Sequence, residues 1–109
     1  MARGPGLEEL VREALGPEPG LDEKRMFGGL AWLLHGNLLC GARIDSMLVR
    51  LGKGNDGWAL DQPDVAAMVM QGRHLPGWVR AGAAAYGDDA LRRRLLDAAL
   101  AFVRTLPPK

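Results

Sequence analysis

Apolar residues near the start of the chain fall at Leu7, Leu10, Val11, Ala14 and Leu15. This i, i+3, i+4, i+7, i+8 spacing is one stripe of an amphipathic helix and predicts a helix over residues 5–15. Pro5 suits a first helical turn, and Glu8 and Glu9 suit the positive end of the helix dipole. Gly16 is a natural stop, and the Pro/Gly-rich stretch 16–20 reads as a loop. Residues 23–27 are predicted to start a sheet, with Lys24 and Arg25 near its edge. Gly28-Gly29 then marks a bulge or a sharp bend.

From Met26 to Gly41 the pattern organises the rest of the chain. Two apolar runs flank Gly36-Asn37, a two-residue hairpin signal. A second turn at Asp45-Ser46 leads into Met47-Leu48-Val49-Arg50-Leu51. The expectation is a three-strand antiparallel meander. With those loops, Leu33 faces Cys40, Ala31 faces Ala42, Ala42 faces Val49 and Cys40 faces Leu51. Alternation then places Ala31, Leu33, Leu38, Cys40, Ala42, Ile44, Met47, Val49 and Leu51 on one apolar face. The other face holds Trp32, Leu34, Leu39, Gly41, Arg43, Leu48 and Arg50, with Trp32 over Gly41. It is too apolar for free solvent and too charged for a closed core.

Further along, residues 58–60 are predicted to form one helical turn. Residues 65–70 and 78–81 are predicted as the last two strands, joined by a connection over 71–77. A closing helix is capped by Asp88 or Asp89 and lined by Leu91, Leu95, Ala98, Ala99, Phe102, Val103 and Leu106. Pro107-Pro108 ends it. Strands run together and helices flank them, so the predicted class is α+β: a bent antiparallel sheet of five to six strands between N- and C-terminal helices.

A chain of 109 residues fits one domain, residues 1–109, with one real core. The formal net charge of +1 gives no overall field favouring nucleic acid or an anionic membrane. The single cysteine, Cys40, leaves no intrachain disulfide and no multi-cysteine zinc site. The first residues lack the apolar core of a signal peptide, and no run is long enough to span a membrane. These readings predict a cytoplasmic protein.

Several segments resemble the N-terminal domain of the TfoX/Sxy family. They are Met26-Phe27-Gly28-Gly29, the hairpin ending Cys40-Gly41, Leu48-Val49-Arg50-Leu51-Gly52, Gly72-Arg73, Gly77-Trp78-Val79 and Leu106-Pro107-Pro108-Lys109. The resemblance implies a helix-flanked, strongly bent sheet similar to the secretion-chaperone-like fold. Family members named for function are regulators of competence genes, thought to act with a cAMP-receptor-type activator. Two departures are visible. The sequence ends at Lys109, where the family's second domain is expected to be absent. It also reads His74-Leu75-Pro76 in place of a Pro-Met-Lys-like stretch.

Candidate chemistry is sparse. Cys40 with His35 or His74 as base is the only nucleophile arrangement, yet the hairpin register buries the thiol on the apolar face, where it is inert. Two lone histidines do not make a zinc site. Gly28-Gly29 lacks the rest of a phosphate-loop fingerprint. The reading is therefore of no catalytic residue, no metal and no cofactor. Trp32, Arg43 and Arg50 on the second sheet face, with Arg73, are the candidate interaction residues, since Trp and Arg concentrate at interface hot spots. The expectation is a non-enzymatic regulatory adaptor acting by protein–protein contact, with the transcription machinery as one partner and a homodimer as one arrangement. The alternative is nucleic-acid binding through Arg92, Arg93, Arg73 and Arg50, against which the scattered charge argues.

Overall fold

The first apolar stripe forms helix α1 (Leu7–Leu15), which buries Val11 and Leu15. The computed structural model describes residues 6–26 and 28–109, so Pro5 and Phe27 lie outside the described residues. After α1 come strands β1 (Leu21–Met26), β2 (Gly29–Leu34), β3 (Asn37–Ala42) and β4 (Ser46–Arg50). The short helix α2 (Gly57–Leu60) precedes β5 (Val65–Met70) and the long strand β6 (Arg73–Gly82). Helices α3 (Ala83–Tyr86) and α4 (Asp89–Val103) close the chain. Asp88 caps α4 by accepting from Leu91 N–H at 3.1 Å, which satisfies one of the donors a helix start leaves open.

The strands form one six-stranded antiparallel sheet in the order β1-β2-β3-β4-β6-β5. The class is α+β, as the pattern of runs implied. One core cluster takes side chains from all four helices and from one face of the sheet. Trp32, Met47, Val49, Val79 and Ala81 supply the sheet side, and Val11, Ala59, Ala85, Leu95, Ala99 and Val103 the helix side. Residues Leu96 and Leu100 also belong to the buried side of α4, beyond the stripe read from the sequence.

Both expected turns sit one residue earlier than the sequence suggested. The β2–β3 loop is His35-Gly36, with Leu34 paired to Asn37. Positive φ at His35 (52°) and Gly36 (85°) suits the mirror-image turn that matches strand twist. Asn37 is held in β3 because its side-chain amide donates to Pro107 C=O at 2.9 Å. Lys109 N–H likewise donates to His35 C=O at 2.8 Å, so the tail docks on this hairpin. The β3–β4 loop is Ile44-Asp45, closed by Arg43 N–H donating to Ser46 C=O at 2.8 Å.

A bulge changes the facing of β2. Leu33 pairs with Leu38, but Trp32 pairs with Cys40, so Leu39 is the extra residue. One inserted residue flips the faces beyond it. Trp32, Leu34 and Leu39 therefore lie in the core, and Trp32 does not sit over Gly41; Ala31 does. Ala31 and Leu33 leave the core face. The expected facing of Cys40, Ala42, Met47, Val49 and Leu51 stands, because the β3–β4 register moved by two rather than one.

The expected connection over 71–77 is also corrected. Only Gln71-Gly72 turns, and β6 runs on through His74, Leu75, Pro76 and Gly77. Gly77 keeps a strand position open for a close crossing. Its C=O accepts from Leu51 and Gly52 N–H at 2.7 and 3.2 Å. Its φ is +83°, and a Cβ there would meet the Gly52 carbonyl carbon and Lys53 N at 2.5 Å.

Two glycine substitutions separate backbone conformation from crowding. Gly72 has φ +76° and open space around it, so Gly72→Ala should cost roughly 1–2 kcal/mol for the left-handed conformation alone. Gly77→Ala should cost roughly 1–3 kcal/mol more, because the methyl overlaps backbone that has no room to yield. Urea denaturation midpoints of both variants give the comparison. Equal midpoints would mean that the crossing at Gly52 is looser than described.

Candidate interaction face

The sheet has two unlike faces, and the side chains on each follow from the register. On the helix side, Trp32 is fully buried, and its ring N–H needs an acceptor. The register places Glu23 opposite it, and Trp32 Nε1 donates to Glu23 Oε1 at 3.0 Å. Arg12 of α1 donates through Nε to the same oxygen at 2.6 Å and through Nη2 to Oε2 at 3.2 Å. The third nitrogen of Arg12, Nη1, pairs with Glu9 at 2.7 Å. The Arg12 hydrogen bond, and then the Trp32 hydrogen bond, hold the Glu23 carboxyl below its ordinary range. Trp32 is thus a core residue, not an interaction residue as the sequence suggested.

The opposite face has none of the helix core on it. Its central row runs Lys24, Ala31, Gly41, Leu48, Arg80 and Ala66 by register. Ala31 and Leu48 are buried, yet they lie outside the helix-side cluster. Leu33 and Leu38 pair beside that row, and both are half-buried. Arg50 and Trp78 are register partners farther along. The Arg50 guanidinium carbon lies 6.0 Å from the Trp78 ring centre and 5.7 Å from that of Phe102 on α4. Arg50 also donates to Leu38 C=O at 3.2 Å. Arg80 donates to Ser46 Oγ at 3.2 Å and pairs with Asp45 at 3.3 Å. This face is a strip of leucine edged by two fixed arginines.

The other residues singled out from the sequence scatter. Arg43 is exposed at the β3–β4 turn, and Arg73 is exposed at the β5–β6 turn. Only Arg50 of the four candidates lies on the leucine-bearing face. Leu33, Leu38 and Arg80 were missed. The signal for Arg80 was the alternation Trp78-Val79-Arg80-Ala81, which sets Trp78 and Arg80 on one face. No comparable signal existed for Leu33, because the bulge that turns it outward has no residue signature here.

The thiol is sealed, and the two histidines lie on different elements. Cys40 is fully buried, and that burial pushes its thiol pKa up. His35 sits on a hairpin tip with its ring against Gly20, and His74 is exposed on β6. Among the described residues, no group of three His, Cys, Asp or Glu is placed to hold a metal ion. An open groove of about 760 Å³ runs between the 51–58 segment and α4. Its lining includes Leu51, Trp58, Ala98, Ala101 and Phe102, and none of the lining residues titrates. Arg94 lies 4.1 Å from the Trp58 ring centre and fastens α2 to α4.

Two arginines at the ends of α4 are tied to carboxylates. Arg92 is buried and donates to Tyr86 C=O and Asp89, not to solvent. Arg104 pairs with Glu18 at 2.7 Å, an interaction that holds the Glu18 carboxyl below its ordinary range. Among the described residues, no helix is long and apolar enough to cross a membrane.

The family model described as the TfoX N-terminal domain matches residues 13–103, nearly the whole chain. No curated protein and no solved structure matches.

Two measurements follow from Glu23 and Cys40. A carboxyl held low in the folded state adds stability that is complete above its ordinary value, near 4.5, and lost as pH falls through the lowered one. Glu23→Gln should therefore flatten the acid limb of a stability-against-pH curve while Glu18 still contributes with the same sign. An unchanged acid limb would remove Glu23 from this role. Cys40 should react with a thiol reagent only after denaturation, and rapid labelling of native protein at neutral pH would contradict its burial.

Proposed function

The chain belongs to the TfoX N-terminal domain family, and on that footing we propose that it is a non-enzymatic cytoplasmic adaptor that acts by protein–protein contact. The observation that carries the reading is the sheet face turned away from the helix core, with Leu33 and Leu38 half-buried, Arg80 across it and Arg50 reaching from its end to Phe102 of α4. Apolar strips of this kind on a globular domain mark contact sites, and arginine anchors favour recognition. The competence regulators that the sequence resembles suggest a partner within the transcription machinery. The reading without reaction chemistry is supported by the sealed Cys40 and by a groove lined with no titratable group. Nucleic-acid binding is the weaker reading, because Arg12, Arg80, Arg92 and Arg104 are all engaged with carboxylates.

Leu38→Glu tests the face directly. Leu38 is partly exposed and outside the helix-side cluster, so circular dichroism should be unchanged. Affinity capture from the native cytoplasm should lose a partner that both wild type and Arg93→Glu, on exposed α4 surface, retain. Retention of the same partner by Leu38→Glu would overturn the face. Submicromolar binding of random duplex DNA near physiological salt would favour the nucleic-acid reading, since such binding needs many neutralised phosphates.

A further inference from the structure

The two edge strands of the sheet are built differently. Strand β1, at one edge, carries Asp22, Glu23, Lys24 and Arg25, and five of its six residues are exposed. Charged edges of that kind resist pairing with another strand. Strand β5, at the other edge, reads Val65-Ala66-Ala67-Met68-Val69-Met70 and holds no charge and no proline. Val69 on it is 61% exposed. An uncharged apolar edge with unpaired backbone groups is a template for another strand.

Its outward backbone groups can be identified. Gly82 N–H donates to Asp64 C=O at 2.9 Å, so Asp64 bonds toward β6. In an antiparallel ladder the bonding direction alternates, which turns Val65 and Ala67 toward the open edge. Val65 N–H is taken there by Gln62 C=O at 3.3 Å, so Val65 offers its C=O and Ala67 offers both groups. At the other end, Met70 and Arg73 close the two-residue Gln71-Gly72 turn, so Met70 bonds inward and Val69 outward. Val65 C=O and both backbone groups of Ala67 and Val69 therefore offer a ladder, across the point where the β5–β6 register shifts.

The charges flanking β5 say what that ladder fits. The approach to the strand is acidic, through Asp61 and Asp64, and its exit is basic, through Arg73. Asp64 already accepts from Ala84 N–H at 3.0 Å. Asp61 and Arg73 have no side-chain partner among the described residues, and both are exposed. An antiparallel copy of the same strand lays an acidic end beside a basic end twice.

We propose that β5 pairs with β5 of a second copy of this chain about a two-fold axis near Ala67, joining two sheets into one. Val65 then lies opposite Val69 of the partner subunit, and Asp61 lies toward Arg73 of the partner subunit. The contact is isologous, so it closes as a dimer and leaves the charged β1 edges at the two ends. It does not rest on the leucine face, so Leu38→Glu should dimerise like wild type.

Sedimentation equilibrium on the full chain is the test. Wild type should approach twice the 11.8 kDa chain mass as concentration rises. Val69→Lys, at an exposed site outside the core, should sediment as a monomer with an unchanged circular dichroism spectrum. Arg73→Asp should weaken the dimer by about tenfold, since the symmetry applies each substitution twice. Asp61→Arg combined with Arg73→Asp should recover most of that loss. Amide exchange at Ala67 and Val69 should slow as the dimer forms. A wild type that stays monomeric at the highest concentration it tolerates would overturn the proposal. So would a dimer indifferent to Val69→Lys, or a charge swap that fails to recover association.

Discussion

The fold depends on burying Trp32 without stranding its ring N–H. The largest fully buried side chain in the core brings one polar group with it, and an unmet donor there costs roughly 1–3 kcal/mol. Glu23 meets the donor from the neighbouring strand, which leaves a carboxylate beside the core that needs its own counter-charge. Arg12 supplies that charge from α1. Three elements far apart in purpose are thereby tied together: the covering helix, the charged edge strand and the core strand. The tie explains why β1 holds its place although it contributes little apolar surface of its own, with only Leu21 packed against the cluster.

The same logic recurs at the far end of the chain. Glu18, in the loop after α1, binds Arg104 at the end of α4. Pro107 and Lys109 bond to Asn37 and His35 on the β2–β3 hairpin. Exposed ion pairs contribute little singly. Their value here is positional, since they fix where α1 and the tail lie against a core that dispersion and burial already hold. Such ties match four of the arginines, Arg12, Arg80, Arg92 and Arg104, to carboxylates.

Much of this was legible in the sequence because it is local. Helical spacing placed α1 and α4, the α4 cap was narrowed to Asp88 or Asp89, and the strand runs pointed to an α+β sheet. The faces of β3 and β4 were also readable, because moving a two-residue loop by one shifts the register by two and leaves each face intact. What failed was non-local. Asn37 reads as a turn residue, but a carbonyl seventy residues away holds it in a strand. The bulge at Leu39 has no glycine to announce it, yet it reverses Trp32, Ala31 and Leu33 together. A candidate site that included Trp32 inherited that reversal.

The reversal at the bulge changes which side chains the outer sheet face presents. A sheet with helices on one side must present its other side to something, and the composition of that side decides what. Had Trp32 faced outward, the exposed strip would have needed a cover as large as a core. With Leu33, Leu38 and the Arg50–Trp78 pair there instead, the strip is narrow enough for the monomer to carry. Leu48 is sheltered within it between Gly41 and Arg80. A face that is tolerable when bare and apolar enough to gain from burial is the condition for a reversible contact, which is what an adaptor requires.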